Sequence, residues 1–314
     1  MQVFRGIPQR NQHSTVLTIG NFDGVHRGHR ALLARLTTKA QQLGLPAAVM
    51  TFEPHPREYF SPDSAPARLT SLREKLQLLG ECGVDEVYVC GFNAKFAQMT
   101  ADEFVERIAK GLGVRHLIVG DDFHFGKGRS GNFQAIQQAG LKYDFTAEAM
   151  ETLVYEDERV SSSAVREALE QGNLEQATRL LGRPYSISGR VIHGDKIGRQ
   201  LGYATANIQL KRRKAALSGI FVVTIQSSQP DMQGKLVEGV ASLGVRPTVT
   251  DSGEWKLEVH LFDFSGDLYL EHLTVNFLHK LRNEEKFDSW EELSKKIELD
   301  VKETKHYFIA NPQQ

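Results

Sequence analysis

Two histidines three residues apart, His26 and His29, stand in the glycine-punctuated run Gly20-Asn21-Phe22-Asp23-Gly24-Val25-His26-Arg27-Gly28-His29. Imidazole N–H groups and glycine amides at that spacing suit one kind of chemistry, the holding of phosphate oxygens. Val16 to Ile19 before the run is apolar and β-rich, and Ala31, Leu32, Leu33, Leu36 and Ala40 after it carry the three-and-four spacing of a helix face. The junction is therefore expected to be strand, tight turn, helix, with the positive end of the helix aimed at the histidines. A glycine turn with two surface histidines would look the same in isolation; the flanking strand and helix favour a nucleotide phosphate site.

The elements that must position this run follow in order. Ala47 to Phe52 reads as a second buried strand that stops at Glu53-Pro54-His55-Pro56, holding His55 at its carboxyl edge. Ser71 to Leu79 is an amphipathic helix with a Ser71/Glu74 capping box, and Thr100 to Glu103 repeats that signal before Phe104, Val105 and Ile108. Strands Glu86–Cys90 and His116–Val119 alternate with them, which predicts an α/β, Rossmann-like parallel sheet covered on both faces. Ligands of such sheets gather at the carboxyl ends of the strands. That rule puts Gly20 to His29, His55 and the loop Gly120 to Gly126, with Asp122, on one rim. Gly126 to Asn132 is basic and glycine-rich, able to follow phosphates but also like any surface loop. Ser161, Ser162 and Ser163 open another helix with Arg166 on its first turns; they read as a cap or, with the arginine, as a phosphate holder.

Gly182-Arg183-Pro184 ends a short helix from Asn173 to Leu181, and the boundary is placed there, giving domains 1–183 and 184–314. Beyond it, short β-rich runs at 187–191, 219–225, 237–243, 257–262 and 268–277 predict an antiparallel β-barrel. Trp290, Leu293, Ile297 and Val301 mark one face of a closing C-terminal helix. Gly189 to Gly202 is a second glycine-punctuated segment at a strand end. Thr205 and Asn207 close by form a compact pair of oxygen ligands for a hard cation such as Mg2+. Glu258 alternates with Leu257 and Val259, and by itself reads as a solvated face residue. The run Lys211-Arg212-Arg213-Lys214 reads as a solvated loop.

At 314 residues the chain has room for two domains of ordinary size. A formal net charge of −1 provides no strong field for nucleic acid or an anionic membrane, but leaves small anionic substrates open. Cys82 and Cys90, without metal-ligand spacing, read as core thiols of a reducing compartment. No apolar run approaches the ~18 residues of a bilayer span, so the expectation is a soluble cytoplasmic protein.

These residues together resemble a known family, the bifunctional riboflavin kinase/FMN adenylyltransferases of bacteria, over nearly the whole chain from about Val3 to Phe308. Gly20 to His29 looks like the nucleotidyltransferase motif, Pro54-His55-Pro56 like its second element, Val119 to Gly126 like its third, and Val160 to Arg166 like its last ATP-binding element. Gly189 to Gly202 with Thr205-Ala206-Asn207 is similar to the flavokinase signature, Gly244 to Thr248 to a further turn, and Glu258 to Tyr269 to the segment that carries the kinase base. The resemblance implies a nucleotidyltransferase domain followed by a flavokinase barrel, the second making FMN from riboflavin and ATP, the first making FAD from FMN and ATP with release of pyrophosphate.

It also implies roles. His26, His29 and Arg166 would stabilise adenylyl transfer, with Gly20, Asn21, Phe22, Asp23, Gly24, Gly28, His55, Asp122, Ser162 and Ser163 around ATP. In the kinase, Gly189, His193, Gly194, Lys196, Gly198, Arg199 and Gly202 would cover the phosphates, Thr205 and Asn207 would hold Mg2+, and Glu258 would be the base. Two positions depart from the family pattern: Ala204 stands where proline is usual, loosening the backbone before Thr205, and Leu270 where glycine is usual, altering a turn beside the base. The weighed alternatives are a single-activity nucleotidyltransferase and a non-catalytic flavin- or nucleotide-binding regulator. Retention of every charged group just named favours an enzyme.

Overall fold

The computed structural model describes residues 1–10, 13–193, 203–227, 232, 234–246 and 254–312. The chain divides into two compact units, residues 1–66 with 72–161, and 67–71 with 162–314. The first unit is the predicted parallel sheet, six strands in the order β1-β4-β3-β2-β5-β6. Its elements are β1 Gln2–Arg5, β2 Thr15–Ile19, α1 Arg27–Leu43, β3 Ala47–Glu53, α2 Pro56–Phe60, α3 Leu72–Glu81, β4 Glu86–Gly91, α4 Ala94–Ala97, α5 Ala101–Leu112, β5 Val114–Gly120, α6 Phe133–Tyr143 and β6 Thr146–Met150. A small hairpin, β7 Val154–Tyr155 and β8 Glu158–Arg159, follows.

Strand β2 is buried at all five positions, as a central parallel strand must be. One apolar cluster, including Leu17, Met50, Phe104, Ile108 and Leu117, packs on one face of the sheet; a second, including Val16, Phe22, Leu33, Leu36 and Val49, packs on the other. Thr100 caps α5 with the reciprocal box the sequence predicts, its side chain and that of Glu103 each bonding the other's backbone N–H. The outer strands β1 and β6 were not among the predicted strands. Thr146-Ala147-Glu148-Ala149-Met150 is only partly buried, so its sequence carries neither an apolar run nor strict alternation. Both cysteines are free, and burial pushes the Cys90 thiol up to about 12, which keeps it protonated and inert.

The second unit opens with α7 Ser162–Glu170 and α8 Leu174–Leu181, then closes into the predicted antiparallel barrel. Its strands are β9 Tyr185–Ile192, β10 Thr205–Ile208, β11 Gly219–Ser227, β12 Val237–Arg246, β13 Glu254–Leu261 and β14 His272–Arg282, in the order β10-β13-β12-β11-β14-β9. The four residues of β10 close the ring between β9 and β13. The closing helix, α9 Trp290–Ala310, exists as predicted, and Leu293, Ile297 and Val301 of the predicted face are partly buried, with Trp290 the exception. Trp290 is 55% exposed, and the most buried positions are Asp300, Thr304 and Phe308. Asp300 is buried because Arg282 of β14 holds it by two bonds, Nε to Oδ1 at 2.8 Å and Nη2 to Oδ2 at 2.7 Å. Arg212, read from sequence as part of a solvated loop, instead donates to the carbonyls of Arg68 and Leu69 and to the Tyr185 hydroxyl, tying residues 67–71 to this unit.

Candidate active site

Parallel strands β3, β2 and β5 are neighbours in that order, so the turns after them open on one edge of the sheet. The chain builds β3 and β4 to one side of β2 and then crosses to place β5 on the other. This makes the β2–β5 edge the switch point where an open sheet receives its ligand. The turn after β2 carries Gly20 to Gly24, His26, Gly28 and His29; His55 follows β3 and Asp122 follows β5. The predicted rim is thus the rim of the fold.

Backbone strain concentrates in the first turn. Phe22 and Val25 have φ of 49° and 41°, and Gly24 lies at 84°. A β-branched residue in the left-handed region is a conformation retained only under constraint, and Val25 is held by complete burial. His26 then caps α1: its Nδ1 accepts the His29 N–H at 3.3 Å. An accepting Nδ1 leaves the proton on Nε2, so the cap sets the tautomer as well as the helix start. Gly28 suits that arrangement, because a Cβ there would lie 3.2 Å from His26 Nδ1, closer than ordinary contact. The His26 and His29 rings stack with centroids 3.6 Å apart. Burial, then the neighbouring His26 and Lys75 charges, hold His29 well below the usual imidazole value of 6.5. His29 is therefore a neutral N–H donor near neutral pH.

His55 repeats the device on β3. It caps α2, its Nδ1 accepting the Arg57 N–H at 3.1 Å, which again leaves Nε2 protonated. Beside it Phe52, Tyr59, Phe60, Phe92 and Phe96 form a chain of ring contacts with centroids 5.2 to 5.7 Å apart. Phe60 is 65% exposed although it belongs to this cluster. Asp122 is exposed and lies 3.4 Å from Arg159 Nη2, and the two line an open cleft with Asp121, Thr152 and Val154. Ser162 and Ser163 lie in the first turn of α7 in the second unit. Arg166, one turn further on, donates from Nε to the Ala67 carbonyl at 2.6 Å and from Nη1 to the Ser162 carbonyl at 3.1 Å. Part of its fork is thus engaged in positioning residues 67–71.

On the barrel, the register sets the second constellation. Asn207 pairs with Glu258 and Thr205 with His260 across β10 and β13, while Ser242 pairs with Glu258 across β12. Ala206, Ile208, Leu257 and Val259 point into the core, so Thr205, Asn207, Glu258 and His260 share the opposite face. Sequence alternation placed Glu258 on that face but could not name its neighbour; pairing supplies Asn207. The donor set, a hydroxyl, an amide oxygen and a carboxylate opposite, fits a hard cation. His260 Nδ1 donates to the Ala204 carbonyl at 2.8 Å, which anchors the backbone just before Thr205 without the usual proline. His193 lies at the end of β9 with its ring 4.2 Å from that of Tyr269. Gly189 is inside β9, where a Cβ would lie 2.4 Å from the Gln209 carbonyl oxygen; wall packing alone demands glycine there. Gly194, Lys196, Gly198, Arg199 and Gly202 lie outside the described residues, as do Pro247 and Thr248.

Leu270 keeps the turn that glycine would make. Its φ is 67° with the side chain 68% exposed, and its N–H bonds the Val191 carbonyl at 3.0 Å. Left-handed backbone costs a non-glycine residue about 1–2 kcal/mol, and glycine's larger unfolded-state entropy returns about 0.4–1 kcal/mol of that. Leu270→Gly is therefore expected to raise barrel stability by about 0.5 kcal/mol in denaturant titrations.

Two family models match the chain in this order: FAD synthetase over residues 8–164 and riboflavin kinase over residues 181–308. A curated relative from Pseudomonas fluorescens, named bifunctional riboflavin kinase/FMN adenylyltransferase, is 52% identical over 304 residues, 96% of each chain. The chain belongs to the bifunctional riboflavin kinase/FMN adenylyltransferase family. A member from Escherichia coli with the same name is 46% identical over 312 residues, 98% of each chain. A solved structure from Streptococcus pneumoniae, titled a macrolide-efflux protein, superposes with a TM-score of 0.80 at 30% identity, covering 95% of this chain and 97% of that one. Among the described residues of this family member, no helix is long and apolar enough to cross a membrane.

Proposed function

We infer that the chain performs two successive steps on one flavin: ATP-dependent phosphorylation of riboflavin to FMN, then adenylylation of FMN to FAD with release of pyrophosphate. The observation that carries this is the presence, in one chain and in the family's order, of an FAD synthetase match and a riboflavin kinase match. A single-activity transferase and a non-catalytic binder are set aside by the same pair. We assign adenylyl transfer to residues 1–183 and the kinase to residues 184–314, and place the enzyme in the cytoplasm with its soluble substrates.

In the kinase, Glu258 accepts the proton of the ribityl hydroxyl as that oxygen attacks the γ-phosphorus of ATP and ADP leaves. Thr205 and Asn207 would hold Mg2+, which neutralises phosphate charge when bound. Gly189, His193, Gly194, Lys196, Gly198, Arg199 and Gly202 form the proposed phosphate cover. The register that sets Asn207 beside Glu258 supports this reading, because it puts base and oxygen donors on one strand face.

In adenylyl transfer the FMN phosphate attacks the α-phosphorus of ATP and pyrophosphate leaves. The nucleophile is already anionic, so the site supplies donors rather than a base. His26 and His55 present Nε2–H, His29 adds a neutral N–H, and amides after Gly24 and at the start of α1 assist. Gly20, Asn21, Phe22, Asp23, Asp122, Ser162, Ser163 and Arg166 complete the proposed ATP contacts. The exposed Phe60 in the aromatic cluster is the surface on which the isoalloxazine ring stacks. Phe60→Ala is expected to raise KM for FMN about tenfold, with KM for ATP unchanged, in steady-state assays of FAD formation. The overall reading is tested by supplying riboflavin and ATP with Mg2+ and separating the flavins formed.

A further inference from the structure

Helix α3 carries Leu72, Lys75, Leu76 and Leu79 at the three-and-four spacing of a core-facing stripe. Lys75 is buried to 4% exposure and Leu79 completely, so the lysine occupies a position on the apolar stripe. Burying an ammonium costs several kcal/mol unless its surroundings compensate, and such groups concentrate at functional sites. The surroundings here are the phosphate turn. Lys75 Nζ lies 3.4 Å from Thr51 Oγ1 on β3, and Thr51 Oγ1 donates to the Asn21 carbonyl at 3.2 Å. The same charge reaches the buried ring of His29. Among the described residues, Asn21 Oδ1 and His29 Nδ1 are buried with no hydrogen-bond partner, two polar atoms left open where the turn meets its ligand.

We propose that Lys75 is a positioning residue of the adenylyl-transfer site, its buried ammonium holding the Gly20–Asp23 turn through Thr51 and facing His29 with a fixed positive charge. The charged groups on the elements around His29 are His26 on its own cap, Asp23 in the turn, Arg27 and Arg30 on α1, and Glu74 and Lys75 on α3. Burial does most to keep His29 neutral, and the His26 and Lys75 charges act in the same direction. A neutral His29 enters the reaction as a directed N–H. The positive charge beside it comes from a different side chain, on α3. This division separates the donor that touches phosphate from the charge that orients it.

The inference rests on the adenylyl-transfer reading above, and the test separates the two. Lys75→Met in the full chain keeps the side chain's length and apolar stem and deletes the charge. It is expected to lower kcat for FAD formation from FMN and ATP about a hundredfold, the scale of a small misplacement of reacting groups, with KM for FMN little changed. The acid limb of its pH–rate profile, and the His29 ring resonance followed by NMR, are expected to move to higher pH. Riboflavin phosphorylation should match the parent, and the melting temperature should not fall, since losing a buried charge to a well-packed methionine is neutral or stabilising. FAD formation at the parent rate overturns the proposal, as does a slowed variant whose His29 titrates as in the parent. Should Lys75→Met not fold, Thr51→Val decides: slowed adenylyl transfer with intact kinase supports the link through Thr51, and a parent-like rate overturns it. A parent enzyme that makes no FAD would overturn the underlying reading instead.

Discussion

His29→Ala is expected to lower the rate of FAD formation from FMN and ATP by about 10²–10³-fold while leaving riboflavin phosphorylation at the parent level. The two rates come from the same preparation, so the kinase reports the folded barrel unit, and a melting curve reports the unit that carries His29. The size of the effect follows from what the ring does. It is buried against His26 and Phe22 and carries no charge near neutral pH, and in the proposed mechanism it offers one N–H where charge grows on the departing pyrophosphate. The variant also has a stability signature. In the parent, His29 titrates well below 6.5 in the fold, so as pH falls through 6.5 the unfolded chain takes up a proton that the folded chain refuses. Stability therefore declines with acidification from that point down to the folded value. The alanine variant lacks this contribution, and denaturant midpoints measured against pH should show a shallower acid slope.

Glu258→Gln is the complementary case. Glutamine keeps the shape and the place opposite Asn207 but cannot accept the ribityl proton, and loss of a general base costs about 10²–10⁴-fold. Riboflavin phosphorylation should fall by that factor, and FAD formation from supplied FMN should match the parent. Together the two variants divide the chain's chemistry: the first makes FMN and stops, the second makes FAD only when given FMN. Retention of riboflavin phosphorylation by Glu258→Gln would remove the carboxylate from the mechanism.

Much of this architecture was legible in the sequence. The central strands β2, β3, β4 and β5 are apolar runs because both faces are covered, and burial writes itself directly into composition. The edge strands β1 and β6 escape because one side of each is solvent, and β10 escapes because four residues carry too little pattern. The closing helix shows a different failure. Among its most buried positions is an aspartate, Asp300, and the distant Arg282 makes that burial tolerable. Hydrophobic spacing cannot see a residue that is buried because it is paired.

The same limit governs the site. His26, His29 and His55 could be picked by type and context, but not the fact that His26 and His55 are helix caps, which decides their tautomers. Lys75 lies on a helix that the sequence shows only as amphipathic. Only the packing of α3 against the turn shows that it faces inward, and the signal in the sequence was its place on the apolar stripe. Leu270 was visible as a departure, and the structure shows its consequence: the turn persists, with leucine carrying a left-handed backbone.

The central claim is that one chain converts riboflavin to FAD through FMN. The purified protein is incubated with riboflavin, ATP and Mg2+, and flavins are separated over time. FMN should rise first and then give way to FAD, with one pyrophosphate released per FAD. Failure to form FMN, or FMN that accumulates with no FAD at saturating ATP, would contradict it.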